Sequence, residues 1–466
     1  MKYSNYYGLT GRDYEFTRTD NATLTLDHKF NDSASVHYAF RYGRNERDSI
    51  ITAPRFFERD EELVDRLTAD PNAALTDEER ATVESTDIER ELKSRDQVDE
   101  IFANQIDTKF QFETFGWDHT LIVGFDSNYE TSENYVREGP DAEYADLFNP
   151  NPGDRYLGPI RRTGEVTEVE STNYGVYIFD TIKFNEQWEL NGGLRWDYVD
   201  TEATTQSPEE TEDGEGVFNE ITDLGRTDKE LSGRVGLVYK PLPNGSIYAA
   251  YGTSFNPSSE SLALSPSDVN LEPESSRTYE IGTKWDLFDK KLAVNAAVFR
   301  TEKTNARTVS LIPDDPERVL DGEQVVQGFE IGIAGRITRN WSVFGGYCFL
   351  DSEVEASNDP KEVGKYVSNT PDHSFTLWTT YALPWDIEVG AGVQYVGRRY
   401  ANLTNTREAE GYWLLDAMIS KRITKNVTAR LNVTNLADEE YIDRVGGGHF
   451  VPGAGRTAIL TVNFDF

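Results

Sequence analysis

The chain has 466 residues, enough for two or three ordinary domains or for one large β-architecture. With 46 basic and 82 acidic residues its formal charge is −36, which argues against nucleic acid as a partner. No run of about 18 apolar residues occurs, so no transmembrane helix is expected. The single cysteine, Cys348, excludes an internal disulfide and paired-thiol redox chemistry. Aromatic residues make up 12% of the chain, too many for a disordered one. A membrane remains open as a setting, because a barrel strand needs only every second residue apolar over about 9–11 positions.

The opening stretch, "MKYSNYYGLTGRDYEF", has no apolar core of a signal peptide, so an exported form is expected to begin further upstream. A first strand is expected over about Arg18–Phe30. Beyond residue 50 the chain turns acidic. Glu58–Lys93 holds 13 acidic and 5 basic residues, and its segments "ERDEELVDRL" and "TDEERATVE" have helix-favouring composition, with a Thr76–Glu79 capping-box pattern. Trp188–Tyr198 then alternates Leu190, Leu194, Trp196 and Tyr198 with Glu189, Asn191, Arg195 and Asp197. A second acidic stretch, Asp200–Glu230, holds 11 acidic and 2 basic residues. Both acidic stretches are expected to be solvated surface, since neither has a calcium-loop ligand spacing.

Alternation resumes in Tyr279–Phe288 and again in Val427–Val433. The last segment, "RTAILTVNFDF", puts Leu460, Val462, Phe464 and Phe466 on one side and Thr461, Asn463 and Asp465 on the other.

The joints carry the architecture. Short turn-like ones fall at "NDS", "FGW", "NEQ", "LPNG", "DKK", "TRN", "LPW" and "TKN". Between them lie long polar stretches at about 50–94, 134–163, 205–228, 257–273, 305–323, 355–368, 402–410 and 437–454. Short and long joints alternate throughout, as in an outer-membrane barrel with short periplasmic turns and long extracellular loops. The expected fold is therefore all-β, an antiparallel transmembrane β-barrel with about 17 strands in this chain. Its 50–94 stretch is a long acidic extracellular loop. An odd number of strands that begins outside and ends in the periplasm is expected to be an incomplete barrel, the later part of a larger one. Phe466 would then end a lipid-facing strand of the kind the barrel-assembly machinery reads.

Several stretches resemble TonB-dependent siderophore receptors of the catecholate type. They include Tyr251–Thr308, "NTPDHSFTLWTTY" (Asn369–Tyr381), "GVQYVGRRYAN" (Gly392–Asn402) and "LNVTNLADEEYIDRVGGGHFVPGAGRTAILTVNFDF" (Leu431–Phe466). Upstream, "YYGLTGRDYEFTRTDNATLTLDHKF", "ERDSIITAPRF" and "ELKSRDQVDEIFANQ" are similar to the same receptors, whereas the acidic insert at about 58–88 departs from their pattern. The resemblance implies a 22-stranded barrel in the Gram-negative cell outer membrane, plugged by an N-terminal domain, with a TonB box ahead of it. Residues 1–466 would be the C-terminal barrel portion of such a receptor, without plug or TonB box. It also implies transport of a ferric siderophore, with the TonB complex and outer-membrane lipid as partners.

A ferric catecholate is a bulky aromatic anion, so recognition calls for Arg and aromatic side chains at the extracellular mouth. Arg398, Arg399 and Tyr400 of "GRRYAN" are the first candidates, Arg398 because it continues the phase of Gln394. Arg444 and His449 of "YIDRVGGGHF", and Arg55 and Phe56 of "TAPRFF", complete the set. Within the wall, Arg41, Arg195, Arg234, Glu280, Lys284, Arg336 and Arg430 fall in the polar phase and are expected to face the lumen or a plug. The siderophore supplies the iron ligands, so no metal-binding side chains are needed, and the five histidines show no ligand spacing. No catalytic motif is present, and the chain is not expected to be an enzyme. The competing readings are a passive porin-like channel and a receptor for a different metal chelate.

Overall fold

Period-two alternation becomes one long antiparallel meander in the computed structural model, which describes residues 5–55, 76, 87–210, 217–257, 264, 269, 271–309, 318–446 and 449–465. Seventeen long strands make up this sheet. The first nine are β1 (Tyr14–Asn31), β2 (Ala34–Arg55), β3 (Asp87–Thr114), β4 (Trp117–Glu138), β6 (Arg161–Lys183), β7 (Trp188–Glu210), β8 (Val217–Leu242), β9 (Gly245–Asn256) and β10 (Glu274–Leu287). The rest are β11 (Leu292–Val309), β12 (Arg318–Arg336), β13 (Trp341–Ala356), β14 (His373–Leu383), β15 (Ile387–Val396), β18 (Tyr412–Thr424), β19 (Val427–Thr434) and β22 (Thr457–Phe464). Five short segments lie in loops: β5 (Ala145–Asp146), β16 (Arg399–Tyr400), β17 (Glu408–Ala409), β20 (Ile442–Gly446) and β21 (His449–Pro452).

Each long strand pairs with the next one in the chain. The first and last have one long neighbour each, β2 for β1 and β19 for β22, and among the described residues no pairing joins them. Both are exposed along their whole described length, as two open sheet edges must be.

The turns are as tight as the sequence implies. Phe115 and Gly116 join β3 to β4 with φ of 54° and 80°, a two-residue turn of the primed kind that matches strand twist. Asn would do this more cheaply than Phe, since a bulky side chain at positive φ is strained.

The long strands exceed expectation. β3 runs 28 residues and β8 26, far beyond the 9–11 a bilayer needs, whereas β19 and β22 have only 8 each. The acidic loop expected at 50–94 is correspondingly narrower, because residues 50–55 and 87–94 belong to β2 and β3. Its two helix-favouring segments lie outside the described residues apart from Thr76. Above the apolar band, ion pairs hold the strands together: Arg44 Nε lies 3.2 Å from Glu100, Arg137 Nη1 2.6 Å from Asp48, and Arg162 Nε 2.7 Å from Asp96. Burial would raise the Asp96 carboxyl, but Arg162 and Arg137 outweigh it and hold the group below the usual carboxylate range.

Register assigns every wall residue to one of two faces, since directly paired residues share a face. Leu24, Phe40, Ile106, Phe125, Ile178, Trp196, Leu237, Ile281, Val298, Ile331, Tyr347, Val389, Ile419, Leu431 and Leu460 all fall on one face. That face is the one suited to lipid. Ile281 lies within this band and is well exposed. Ile281→Arg is therefore expected to cost about 2–4 kcal/mol of stability in a bilayer. Glu280→Gln, one residue away on the other face, should cost under about 1 kcal/mol. Denaturant titration in vesicles measures both, and equal losses would mean that the faces are assigned wrongly.

Candidate functional site

Beyond Val396 the chain leaves the sheet. Gly397 donates its N–H to His373 O at 2.7 Å, and an added Cβ there would sit 2.3 Å from Asp372 Oδ1. The phase expected to carry on from Gln394 to Arg398 thus ends at Val396, and Arg398 is positioned by a loop.

Residues 397–411 fold back on themselves, with β16 paired to β17. Two other loops lock onto this one. Asn405, at a left-handed φ of 56°, clasps Tyr366 of the β13–β14 loop: the Tyr366 N–H donates to Asn405 Oδ1 at 2.8 Å, and Asn405 Nδ2 donates to Tyr366 O at 2.9 Å. The Asn369 N–H donates to Tyr400 O at 2.7 Å. The clasp brings the rings of Tyr366 and Tyr400 together, with centroids 5.8 Å apart and planes 15° from parallel. The Arg398 guanidinium carbon lies 5.8 Å from the first ring and 5.9 Å from the second. Its nearest carboxylate, Asp372, is 3.9 Å away, and the side chain is 47% exposed. An exposed pair of that length contributes little.

Arg399 points the other way, as successive residues of an extended segment do. It is 7% exposed, and it donates Nη1 to Asp443 O at 2.8 Å and Nη2 to Ile442 O at 2.7 Å. Its guanidinium also lies 5.8 Å from the Tyr412 ring, which packs 4.4 Å from Tyr441. Arg399 therefore ties the hairpin of β20 and β21 down rather than facing the mouth. Arg444 is carried on that hairpin, 79% exposed, with Asp443 at 3.7 Å. His449 pairs with Gly446 in the backbone register. Partial burial pushes the Tyr400 hydroxyl above the ordinary tyrosine value.

The remaining candidates lie apart from this cluster in the chain. Arg55 ends β2 and donates Nε to Glu91 at 2.8 Å; Lys93 and Arg55 together hold the Glu91 carboxyl below its usual range. Phe56 and Phe466 lie outside the described residues. Arg41, Arg195, Arg234, Glu280, Lys284, Arg336 and Arg430 all share the polar face of the sheet. They differ in freedom. Arg195 is bound by Asp126 at 2.6 and 3.0 Å and by Asp197, and the absent side chain of Gly175 leaves it room. Arg234 lies 4.7 Å from the Phe179 ring, while Tyr248 donates to Glu280 at 2.6 Å and stands 5.2 Å from Lys284.

Tyr366 escaped the sequence reading. It stands alone in a polar loop, and nothing local says that residue 405 will clasp it. The set therefore divides into an exposed cluster of Arg398, Tyr366 and Tyr400, a buried fastener, Arg399, and Arg444 on the hairpin that the fastener holds. An exposed guanidinium beside two parallel phenol rings can take an anionic aromatic group by charge and stacking together. Among the described residues, no group of three His, Cys, Asp or Glu side chains is placed to hold a metal ion.

Residues 2–436 match the family model described as "TonB dependent receptor-like, beta-barrel". The chain is 33% identical to the probable TonB-dependent receptor BfrD of Bordetella pertussis, over 99% of this chain and 62% of BfrD. It is 29% identical to the catecholate siderophore receptor Fiu of Escherichia coli K12, over 99% and 61%. The crystal structure of Fiu in its closed form superposes with a TM-score of 0.84, at 29% identity, over 99% of this chain and 66% of that one. The siderophore receptor PiuA of Acinetobacter baumannii gives 0.82 at 27%, over 98% and 66%. The chain thus spans about three fifths of the length of the curated relatives it matches.

Proposed function

Because the chain belongs to the TonB-dependent receptor β-barrel family, we propose that it forms the barrel of an outer-membrane receptor that imports a ferric siderophore of the catecholate type. The observation that carries this reading is the exposed Arg398–Tyr366–Tyr400 cluster, which offers a catecholate both a cation and an aromatic platform. The likeness to Fiu supports it. The family is one of transport receptors, not enzymes.

In this reading the ligand arrives chelated, so the protein recognises the organic shell and leaves iron to it. Energy comes from the TonB complex acting through a plug. The seven polar-face residues from Arg41 to Arg430 line the interior against which that plug rests. The opposite face meets lipid, and the last strand serves the assembly machinery.

Uptake of radiolabelled ferric enterobactin, a catecholate, by cells expressing the receptor tests the proposal. Accumulation is expected with TonB present and not in a strain lacking it, and ferric citrate should not compete. TonB-independent entry of small solutes would instead make the barrel a passive pore. Competition by another metal chelate, with none from catecholates, would change the cargo and keep the receptor.

A further inference from the structure

Cations and carboxylates are matched at one end of the sheet and unmatched at the other. At the extracellular end Arg44, Arg137, Arg162 and Arg226 each have a carboxylate oxygen at 2.6 to 3.2 Å. At the periplasmic end, along the turns between β10 and β19, cations are left over. Lys290 lies in the β10–β11 turn, Arg339 in the β12–β13 turn, Lys425 in the β18–β19 turn and Lys421 near the end of β18. All four are exposed, and none makes an ion pair or a side-chain hydrogen bond among the described residues.

Register explains the surplus. Asp286 and Glu388, carboxylates at this end, fall on the polar face, and Asp465 follows lipid-facing Phe464 and so takes the polar face too. Asp289 is engaged by Lys291 at 3.6 Å. That leaves Asp386, in the β14–β15 turn, to answer four cations on a chain of net charge −36. Lys421 lies on the lipid side instead, in one row with Leu383, Ile387 and Ala429 across four strands. From there its apolar stem can follow the acyl chains while the ammonium reaches headgroup level. Trp341 and Tyr381 pair directly on the same face. Trp385, at the tip of the β14–β15 turn, is 80% exposed and has a φ of 65°. A bulky residue at positive φ is costly, and an exposed aromatic ring is what the headgroup region favours.

Adjacent turns are two strands apart, about 10 Å at the usual strand spacing. The cations are therefore strung along the membrane surface rather than gathered on one point, which suits a layer of headgroups better than one compact ligand. We propose that the periplasmic rim from β10 to β19 binds anionic phospholipid, its lysines and Arg339 taking the phosphodiester oxygens and Trp385 lying among the headgroups. The inference rests on the reading of this chain as an outer-membrane barrel, and it adds a preference for lipid charge on one arc of the inner leaflet.

Tryptophan quenching in the full-length receptor tests it, with brominated phosphatidylglycerol compared with brominated phosphatidylcholine at equal mole fraction in mixed vesicles. Phosphatidylglycerol is expected to bind about fivefold more tightly or better, the scale of one cation beside an anionic surface. Added salt should shrink that preference, and Trp385→Phe should remove much of the difference in quenching. Lys290→Gln, Arg339→Gln, Lys421→Gln and Lys425→Gln combined should bring the two lipids level. All four side chains are exposed, so the barrel should still insert, which quenching by both lipids verifies. Lys29→Gln, at the other side of the rim and engaged by Asp32 at 2.7 Å, should leave the preference as it was. Equal binding of the two lipids by the unaltered receptor, or a preference that survives the fourfold change, would overturn the site and leave the barrel standing. Quenching by neither lipid would overturn the barrel reading along with it.

Discussion

Replacing Arg398 with alanine is expected to weaken binding of a ferric catecholate by about 10- to 100-fold, or roughly 1.5–3 kcal/mol, the cost of losing a charge-assisted hydrogen bond. The side chain is half-exposed and its nearest carboxylate is 3.9 Å away, so its removal should leave the fold intact. Titration with ferric enterobactin reads the effect directly. Tyr366→Ala should cost less, about 0.5–1.5 kcal/mol, by removing one ring of the stacked pair. Unchanged affinity in both variants would remove the cluster from the mechanism while leaving the family assignment standing.

Net charge makes the same cluster testable by kinetics. A surface of −36 repels a ferric catecholate anion at long range. At physiological salt that repulsion is screened beyond about 8 Å, whereas direct contact with Arg398 is screened less. The association rate should therefore rise with ionic strength in stopped-flow measurements, opposite to the usual steered encounter. A rate that falls with salt would show that a basic patch dominates the approach.

The wall was legible in the sequence because lipid imposes a strict period of two, which residues such as Leu460, Val462 and Phe464 display without help from context. Strand ends were not legible, because that constraint stops at the membrane surface. Above it, β3 continues through Asp96 and Glu91 by hydrogen bonding and ion pairs, and such a polar run reads as loop. Turns were found because Phe115-Gly116 and Asn244 punctuate the pattern.

The mouth was half legible. Arg398, Arg399 and Tyr400 stand out as residue types, and nothing in "GRRY" distinguishes the exposed arginine from the buried one. That distinction depends on Asp443 and Ile442, more than 40 positions away. Tyr366 was missed for the same reason. It becomes interesting only through a partner that is distant in sequence, Asn405.

Arg399→Ala is expected to act by a different route from Arg398→Ala. The substitution leaves the carbonyls of Ile442 and Asp443 without their donors and opens space beside Tyr412. Two lost charged hydrogen bonds at a buried junction are worth about 3–5 kcal/mol locally. The loss should appear as raised amide exchange over residues 442–446 and 449–452, with the strands of the sheet unaffected. Arg399→Lys should recover only part of it, since one ammonium cannot match the guanidinium fork. Affinity for a ferric catecholate should also fall, because Arg444 rides on the loosened hairpin and Tyr400 is the next residue along β16. If Arg399 acts only through this junction, pairing its substitution with Arg398→Ala should give less than the sum of the two losses, since a displaced Tyr400 no longer frames Arg398. Strict additivity with unaltered exchange over the hairpin would mean that Arg399 touches the ligand itself.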